Sequence, residues 1–443
     1  MNNQILPFRI EQLLLEIQSK WIRGEARLEG QAGSWTRERD MPLQDIVLCT
    51  LNKQGLSTEM EVRQLFKAKG KMEQKVSKQA YLQQRQKLNP KVFKVLNRNY
   101  LKRFYEGQEA KGWQGYLVLV VDGSRAEIPN SRENREEYGE STNQYGKGVA
   151  RANISVLYDA YNRFMLNIVI DRYDGDEIEE TREHISALKE IVGERPTVIV
   201  FDRLYTSLEL INRLETAGIK YLMRVQKGVY NAELEQMEVQ DGEVELIHTK
   251  TRMRNVKRRK PECLGELEGK ESTKVRVVKT VFDNGEQVVF MTNLKEGSGE
   301  DIKQLYRERW KIEQKYHTLK NKMKFESVTG KASIYVKQDF WAQIVVFNMI
   351  QDLITAAQIP ATENAKEKDY QYEVRINENI AIGLFKEQFI CLILEEDDDR
   401  KGILFKQLIT DMEKYIVPVR KLKSSPREWN TKNKNKCNQK YTF

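Results

Sequence analysis

The sequence predicts a mixed α/β core that is flanked on both sides by helical regions. Three observations lead to this fold class. In residues 1–105, apolar residues recur at helical spacing in segments separated by Gly or Pro, such as "IEQLLLEIQSKWI". From residue 115, runs of β-branched and aliphatic residues alternate with helical patterns, in the order strand, strand, strand, helix, strand, helix, strand. From residue 297 the helical spacing returns and continues to residue 418.

Two of the predicted strands end in an aspartate. "GYLVLVVDGS" ends in Asp122 and "PTVIVFDR" ends in Asp202, and both runs are apolar enough for buried central strands. The remaining strands of the core are "ANISVLYDA", "RFMLNIVID" and "IKYLMRV", with "EIEETREHISALKEIVG" and "SLELINRLETAG" as its helices. We therefore expect both aspartates at the carboxyl ends of strands in one sheet.

An insertion interrupts this core. Residues 226–296 consist of short alternating runs such as "TKVRVVKTVF", which predict antiparallel strands around a basic segment. The predicted domain boundaries are 1–105, helical; 106–225, first part of the core; 226–296, β-rich insertion; 297–360, second part of the core; and 361–443, helical with a basic tail.

Positive charge is concentrated in two places. The net charge is +9, and the segment "TRMRNVKRRK" carries six cations: Arg252, Arg254, Lys257, Arg258, Arg259 and Lys260. The tail from Val419 carries eight cations against one acid. Each run alone is typical of a solvated or disordered segment. Two runs in one basic chain favour double-stranded DNA or another nucleic acid as the partner, since neutralising phosphates releases counterions. The basic segment "VSKQAYLQQRQKL" fits either a DNA-recognition helix or an ordinary surface helix.

Several classes of protein are excluded. No stretch approaches the ~18–20 continuous apolar residues that span a bilayer, and the N-terminus lacks the apolar run of a secretory signal. The four cysteines (Cys49, Cys263, Cys391 and Cys437) lie far apart without a CxxC pair, and there are three histidines. We therefore expect reduced thiols in a cytoplasmic protein, with no structural zinc site and no membrane partner.

The segment "YRERWKIEQKYHTLK" predicts a helix with an unusual face. Tyr306, Arg309, Glu313 and Lys320 lie at offsets of three, seven and fourteen, which places them within roughly 60° of one another around a helix. A neighbouring stripe, about 80° away, is apolar: Leu305, Ile312, Tyr316, Leu319 and Met323. The polar face is either a solvated surface with an Arg309–Glu313 ion pair, worth a few tenths of a kcal/mol, or part of a functional site.

Three carboxylates now stand out, namely Asp122, Asp202 and Glu313. Carboxylate oxygens suit Mg²⁺ or Mn²⁺, and two such ions about 3.5–4 Å apart support an in-line phosphoryl displacement. Arg309 and Lys320 beside Glu313 would then hold flanking phosphates. A single aspartate after a strand is more commonly a helix cap or a turn former, so the prediction depends on the three acids together.

These residues resemble a known family. The acid placement is similar to that of the DDE transposases, and the helix matches the Tyr-x2-Arg-x3-Glu-x6-Lys signature of the insertion-sequence-four family, which includes the Tn-five transposase. "DGSRAEIPNS" and "DRLYTS" are similar to the segments that carry that family's two catalytic aspartates. The resemblance implies a ribonuclease-H-like core with a β-rich insertion, and a metal-binding triad of Asp122, Asp202 and Glu313. It also implies phosphate contacts by Arg309 and Lys320, and handling of terminal nucleotides by Tyr306.

The resemblance further implies an activity. We expect an insertion-sequence transposase that binds terminal inverted repeats, cuts the 3′ ends and joins them to target DNA, with a homodimer bridging two ends. Some relatives stack a flipped base on a tryptophan of the insertion, which is absent here between residues 203 and 309, so Phe282, Phe290 or Tyr230 are the substitutes. The alternatives are a catalytically silent DNA-binding relative and a structure-specific nuclease on the same fold.

Overall fold

A computed structural model divides the chain into two compact units. One unit comprises Met1–Leu96, Thr318–Thr329 and Gln338–Phe443, and the other comprises Asn97–His317 and Gly330–Lys337. The structure describes these residues: 2–37, 39–73, 76–107, 110–142, 146, 148–259, 264–267 and 269–419. The basic tail at 420–443, Lys260, Cys263 and Cys437 lie outside the described residues.

The N-terminal region is helical, as the apolar spacing predicts. The described residues of this region form six helices: α1 (Asn2–Gln18), α2 (Ile22–Glu25), α3 (Leu43–Leu51), α4 (Thr58–Ala68), α5 (Lys78–Arg85) and α6 (Lys91–Glu106). The helical pattern of residues 77–107 is divided at Pro90 into α5 and α6. The side chain of Asn89 accepts a hydrogen bond from the Lys91 amide at 3.0 Å, at the start of α6.

Arg85 shows that part of the basic face of α5 is structural. Its side chain is 1% exposed, pairs with the carboxylate of Asp339 and donates from Nε to Gln338 at 2.8 Å. Lys53 also binds Asp339, at 3.0 Å. A buried carboxylate held by two cations is costly to break, so Arg85 belongs to the core of its unit. Lys78, Gln79 and Gln83 are exposed on α5.

The core of the other unit has the predicted elements in the predicted order, with α7 and β2 as two elements that the sequence did not predict. Its first part contains β1 (Leu117–Glu127), α7 (Arg132–Tyr138), β2 (Glu140–Thr142), β3 (Gly148–Asp159), β4 (Met165–Arg172), α8 (Glu177–Val192), β5 (Thr197–Phe201), α9 (Leu208–Thr216) and β6 (Lys220–Arg224). The predicted insertion contains α10 (Asn231–Glu235), β7 (Asp241–Ile247), α11 (Lys250–Arg259), α12 (Leu264–Leu267), β8 (Ser272–Val281) and β9 (Gln287–Thr292).

These strands form one nine-stranded mixed sheet. Its order is β2-β3-β1-β5-β6-β9-β8-β7, and β4 pairs with the other side of β3. The β1–β5 and β5–β6 pairs are parallel, and the other pairs are antiparallel. The predicted mixed α/β class is therefore confirmed. The insertion strands are antiparallel, as predicted, and they continue the core sheet because β9 pairs with β6.

The strand register brings the two aspartates to the same level. The last parallel pair between β1 and β5 is Val120↔Val200, so Asp122 and Asp202 each follow it by two residues. Asp202 comes directly after β5, as predicted. The prediction that β1 ends at Asp122 was wrong: β1 continues to Glu127, and Asp122 pairs with Val156 of β3. β1 stays extended beyond Asp122 because β3, its antiparallel partner, continues to pair with it after its parallel partner β5 has ended.

The remaining elements are helices and one small ribbon. They are α13 (Gly299–Arg307), α14 (Trp310–His317), a π-helical turn (Thr318–Lys322), α15 (Ser333–Glu367), β10 (Val374–Ile376), α16 (Glu378–Leu394), α17 (Asp398–Glu413) and β11 (Ile416–Pro418). In the described part of the chain, α15 alone is long and apolar enough to cross a membrane, and 72% of its apolar window is buried inside the protein. This burial is typical of a core helix.

The helix predicted at residues 306–320 is interrupted. α13 ends at Arg307 and α14 begins at Trp310, and between them Glu308 and Arg309 donate their amides three residues back, to Leu305 and Tyr306. Such tighter bonds change the rotation per residue, so the expectation of one continuous helical face was wrong. The apolar stripe is buried as predicted, but Tyr306 and Arg309 are also buried, at 1% and 8% exposed.

Candidate active site

Three carboxylates lie within one compact unit on three different elements. Asp122 is half-buried on β1. Asp202 follows β5, and its Oδ1 accepts a hydrogen bond from the Arg203 amide at 2.7 Å. Glu313 lies in the first turn of α14 with its side chain 53% exposed.

Electrostatics show that these acids share one environment. Burial raises the pKa of Asp122 to about 7, the Arg309 guanidinium opposes this rise, and the negative charges of Asp202 and Glu313 add to it. Repulsion of this kind acts between carboxylates that are near one another in a low dielectric. An acid whose pKa is raised by burial and by neighbouring acids, as that of Asp122 is, is a common feature of functional sites.

Tyr306 orients Asp202. Its hydroxyl donates to Oδ1 of Asp202 at 3.2 Å. The ring is fixed by Phe290, with ring centroids 4.8 Å apart, and by Phe282, on which it stacks at 6.2 Å. Burial and the charge of Asp202 raise the pKa of Tyr306 to about 12, so the hydroxyl stays protonated and remains a donor. The phenol predicted on an exposed face is therefore a buried positioning residue.

Arg309 is the buried cation of this acid site. Its Nη2 donates to Oε1 of Glu313 at 3.0 Å. Its Nε is buried and has no hydrogen-bond partner in the structure. Burial lowers the pKa of Arg309, and the surrounding Tyr306, Asp202, Asp122 and Glu313 raise it by more, so the guanidinium stays charged. The Arg309–Glu313 ion pair that was expected on a solvated face is present. Arg309 is buried, however, and its Nε–H donates to no acceptor in the structure.

Lys320, the fourth residue of the signature, lies in the π-helical turn and belongs to the other compact unit. Within that unit its Nζ lies 3.6 Å from Oε1 of Glu326. Its phosphate contact stays a prediction.

The described part of the basic segment at 251–260 lies in helix α11, and its cations differ in their surroundings. Arg254, Lys257 and Arg258 are exposed. Arg252 is half-buried: it donates to both carboxylate oxygens of Glu233, and its guanidinium lies 4.6 Å from the Tyr230 ring centroid. The side chain of Arg259 and all of Lys260 lie outside what the structure describes. Of the described cations in this segment, Arg252 is therefore structural and the other three face solvent.

The three aromatic residues predicted to replace a stacking tryptophan are not equivalent. Phe290 is fully buried and Tyr230 is 8% exposed. Phe282 is half-buried, and the guanidinium of Arg224 lies 5.6 Å from its ring centroid. Of the three, Phe282 is the most exposed, and base stacking by any of them stays a prediction.

Sequence reasoning missed Glu177, the first residue of α8. Its charge also raises the pKa of Asp122, and its Oε2 accepts a hydrogen bond from the Tyr205 hydroxyl at 3.0 Å. The sequence signal was weak, because acids at the start of a helix are expected from the helix dipole.

Carboxylate oxygens are the ligand type that a hard divalent cation prefers, and three carboxylates, Asp122, Asp202 and Glu313, surround the Arg309 guanidinium. Among the described residues, no three Asp, Glu, His or Cys side chains form a group that could hold a metal ion. Glu313 is instead hydrogen-bonded to Arg309.

The acids of the site fall within a recognisable domain. The family described as "Transposase DDE domain" matches residues 113–349, a range that contains Asp122, Asp202 and Glu313. The chain belongs to this family of transposases. It is also 22% identical, over 338 residues, to the transposase InsG for insertion sequence element IS4 of Escherichia coli (strain K12), covering 74% of this chain and 73% of that protein. The predicted DDE transposase of the insertion-sequence-four type is confirmed by these matches.

A solved structure is also similar to this chain. It is a piggyBac transposase synaptic complex with hairpin DNA, determined by cryo-electron microscopy. The sequence identity is 11% and the TM-score is 0.43, with 96% of this chain and 90% of that chain covered.

Proposed function

We propose that this transposase binds the terminal inverted repeats of an insertion sequence, cuts DNA at the 3′ ends of the element and joins those ends to target DNA. The observation that carries this proposal is the common level of Asp122 and Asp202 on neighbouring parallel strands, with Glu313 in the same electrostatic environment. The DDE-domain match includes all three acids and supports their assignment as the catalytic triad.

The strand order supports a ribonuclease-H-like core. β1, β3 and β4 form an antiparallel meander, and β5 and β6 then add to the other side of β1 in parallel, giving the order β4-β3-β1-β5-β6. In this proposal residues 106–225 and 297–360 are the two parts of the catalytic core, and 226–296 is its β-rich insertion. Residues 1–105 and 361–443 are the helical DNA-binding and C-terminal regions.

The cofactor in this proposal is Mg²⁺ or Mn²⁺, as two ions held by Asp122, Asp202 and Glu313. Bound there, the ions would supply a Lewis acid and an activated water or 3′-hydroxyl. The protein's own groups have separate roles. Tyr306 keeps the Asp202 carboxylate in position, and the unpaired Nε–H of Arg309 is a donor for a phosphate oxygen, since a buried donor without a partner is costly.

Double-stranded DNA is the proposed partner, as element ends and as target. A homodimer that bridges the two ends of the element would allow both ends to be cut and joined together. The proposed location of the protein is the cytoplasm, and on the nucleoid when the protein is bound to DNA. Two other functions remain as alternatives: a catalytically silent DNA-binding relative, and a structure-specific nuclease that needs no paired ends.

One assay tests the proposed function against both alternatives. The full-length protein is incubated with Mg²⁺ and labelled DNA from the ends of the element that encodes it, together with an unlabelled target plasmid, and products are resolved on a denaturing gel. Cleavage at the 3′ ends followed by transfer of label to the plasmid supports the proposal. Binding without nicking indicates the silent relative, and nicking without strand transfer indicates the nuclease.

Helix α11 gives a prediction about DNA binding. Replacing Arg254, Lys257 and Arg258 with glutamine should weaken DNA binding and make it less sensitive to salt. Each lost phosphate contact lowers the slope of log affinity against log salt concentration by roughly 0.9. The measurement is a salt titration of binding to an end fragment by fluorescence anisotropy.

A triple variant of exposed lysines elsewhere serves as the control for α11. Lys366, Lys368 and Lys406 carry the same total charge and are exposed on or near the C-terminal helices. If both triple variants show the same slope as the wild type, α11 is only a solvated helix. Arg252 is left unchanged in this experiment because its ion pair with Glu233 supports the fold.

A further inference from the structure

We propose that a cavity in the helical unit binds a nucleoside phosphate, either as a free nucleotide or as one nucleotide of a DNA strand. The cavity has a volume of about 590 Å³ and lies between the end of α3, helix α4, helix α16 and the turn that carries Lys324. All of its lining residues belong to one compact unit, and none of them belongs to the acid site. Sites for small molecules typically have volumes of about 300–1,000 Å³.

The inner side of the cavity carries a buried cation. Lys386 lies on α16 and is 7% exposed. Its carbonyl accepts a hydrogen bond from Nε2 of Gln54 at 2.9 Å, which ties α16 to the loop after α3. Burial lowers the pKa of Lys386 to about 8, and the positive charges of Lys53 and Lys324 add to this shift. The charge of Glu61 opposes it. A bound anion would favour the charged form of Lys386, because it would offset the repulsion among these lysines.

Positive charge exceeds negative charge in the cavity wall. The lining residues, all of which the structure describes, include three cations and one acid: Lys67, Lys324, Lys386 and Glu387. Glu61 acts on Lys386 from nearby, but its Oε1 already accepts hydrogen bonds from two backbone amides, those of Gln54 and Gly55, each at 3.1 Å. Lysine is a common ligand of phosphate groups. The charge of the wall therefore suits a phosphate.

Lys324 adopts a backbone conformation that a lysine rarely takes. Its φ is 55°, in the left-handed region, which glycine adopts without cost and a residue with a Cβ does not. Two backbone hydrogen bonds fix this turn. The Phe325 amide donates to the Leu319 carbonyl at 3.0 Å, and the Ser327 amide donates to the Lys324 carbonyl at 3.0 Å. Strained residues of this kind are concentrated at ligand sites, and Lys324 lines the cavity.

The remaining wall suits a nucleobase. Leu56, Ala68 and Ile390 supply apolar surface that a flat ring can cover. Asn52 and Gln64 also line the cavity, and the amide oxygen of each is buried without a hydrogen-bond partner. Such acceptors are costly when they stay unsatisfied. The last torsion of an amide side chain has a broad range, so a small rotation lets these oxygens accept from the N–H groups of a base.

Alkylation of Cys391 reports directly whether this cavity is occupied. Cys391 is exposed and lines the cavity, whereas burial raises the pKa of Cys49 to about 12 and keeps it unreactive. The full-length protein is treated with iodoacetamide in EDTA, and the rate at Cys391 is followed by mass spectrometry of its peptide. Deoxynucleoside 5′-monophosphates should slow this rate by about fivefold or more at concentrations well above Kd. Deoxynucleosides or inorganic phosphate alone should slow it much less.

Two lysine variants assign this protection to the cavity. Lys386→Met removes the buried charge and keeps the length of the side chain. Lys324→Gly removes the side chain and relieves the left-handed backbone, so its melting temperature should not fall. We expect each variant to raise the Kd for the nucleotides by about tenfold. Lys406→Met is the control, because Lys406 is an exposed lysine of α17, and it should leave the protection unchanged.

A short single-stranded oligonucleotide separates the two sources of the ligand. Protection by mononucleotides and not by the oligonucleotide identifies a free nucleotide. Protection by the oligonucleotide that Lys386→Met weakens identifies a nucleotide of a DNA strand, and protection by both shows that the cavity accepts either. The inference is overturned if no probe slows alkylation, if inorganic phosphate protects as well as the nucleotides do, or if neither lysine variant weakens the protection. No metal or element end is present, so these outcomes are independent of the proposed cleavage and strand transfer.

Discussion

Alanine at Asp122, Asp202 or Glu313 is expected to abolish cleavage of the element's ends and to leave binding to those ends close to that of the wild type. Each substitution removes a proposed metal ligand but no contact to a DNA base. Cleavage should therefore be lost while binding to the DNA ends is kept. The change in cleavage is measured with the labelled end fragment in Mg²⁺, and binding is measured by anisotropy in the absence of metal.

Stability is not expected to obscure this result. The pKa of Asp122 is raised by burial and by its acidic neighbours, so its ionised form is less favourable in the folded protein than in the unfolded chain. Removing this carboxylate therefore removes a repulsion above that pKa, and the melting temperature at pH 8 should not fall through loss of its charge.

Glu127 provides a matched control on the same strand. It is exposed on β1 and pairs with Arg151 at 2.9 Å. Glu127→Ala should cleave like the wild type because a surface ion pair contributes only about 0–1 kcal/mol. Strong residual cleavage in any one of the three triad variants would remove that residue from the catalytic triad.

The order of elements in the core could be predicted because each element has a strong local pattern. The run before Asp202 is continuously apolar and ends in a polar turn, and β5 ends where the pattern indicates. β1 could not be bounded in the same way. The residues after Asp122 include Gly123, Ser124 and Arg125, which are poor strand formers, and they stay extended because β3 pairs with them.

The residues of the polar face in the segment 306–320 could be identified from the sequence, but the positions of their side chains could not. Nothing in the segment from Tyr306 to Glu313 is a helix breaker, yet the helix tightens and restarts at Trp310. Tyr306 packs against Phe290, a residue of the insertion, and Arg309 turns inward to Glu313. The contact with Phe290, and for Arg309 the nearby charges of Asp202 and Asp122, come from segments far apart in sequence, and helical periodicity alone carries no information on them.

Arg309→Lys is expected to reduce transposition by about a hundredfold or more. Lysine keeps the positive charge but loses the planar group that can bind a phosphate in two places. A misplacement of a reacting phosphate by about 1 Å costs around a hundredfold in rate. The measurement is the frequency of transposition in cells, with strand transfer by the purified protein as a second readout.

The structure also predicts that Arg309→Lys will unfold at nearly the same temperature as the wild type. The Nε–H that lysine lacks has no partner in the folded protein, so no hydrogen bond is lost with it. The ammonium group can still neutralise the half-exposed Glu313. Arg307→Lys is the matched control, because Arg307 is an exposed arginine two residues earlier that pairs with Asp283, and it should transpose normally.

Lys320→Ala completes this test of the signature. Lys320 has a 3.6 Å contact with Glu326 and a partly exposed side chain, so its loss should cost at most about 1 kcal/mol of stability. If Lys320 holds a phosphate near the element's end, transposition should fall far more than this small change in stability explains. Normal transposition in both Arg309→Lys and Lys320→Ala would leave these two cations with structural roles only, namely the ion pairs Arg309–Glu313 and Lys320–Glu326 that the structure shows.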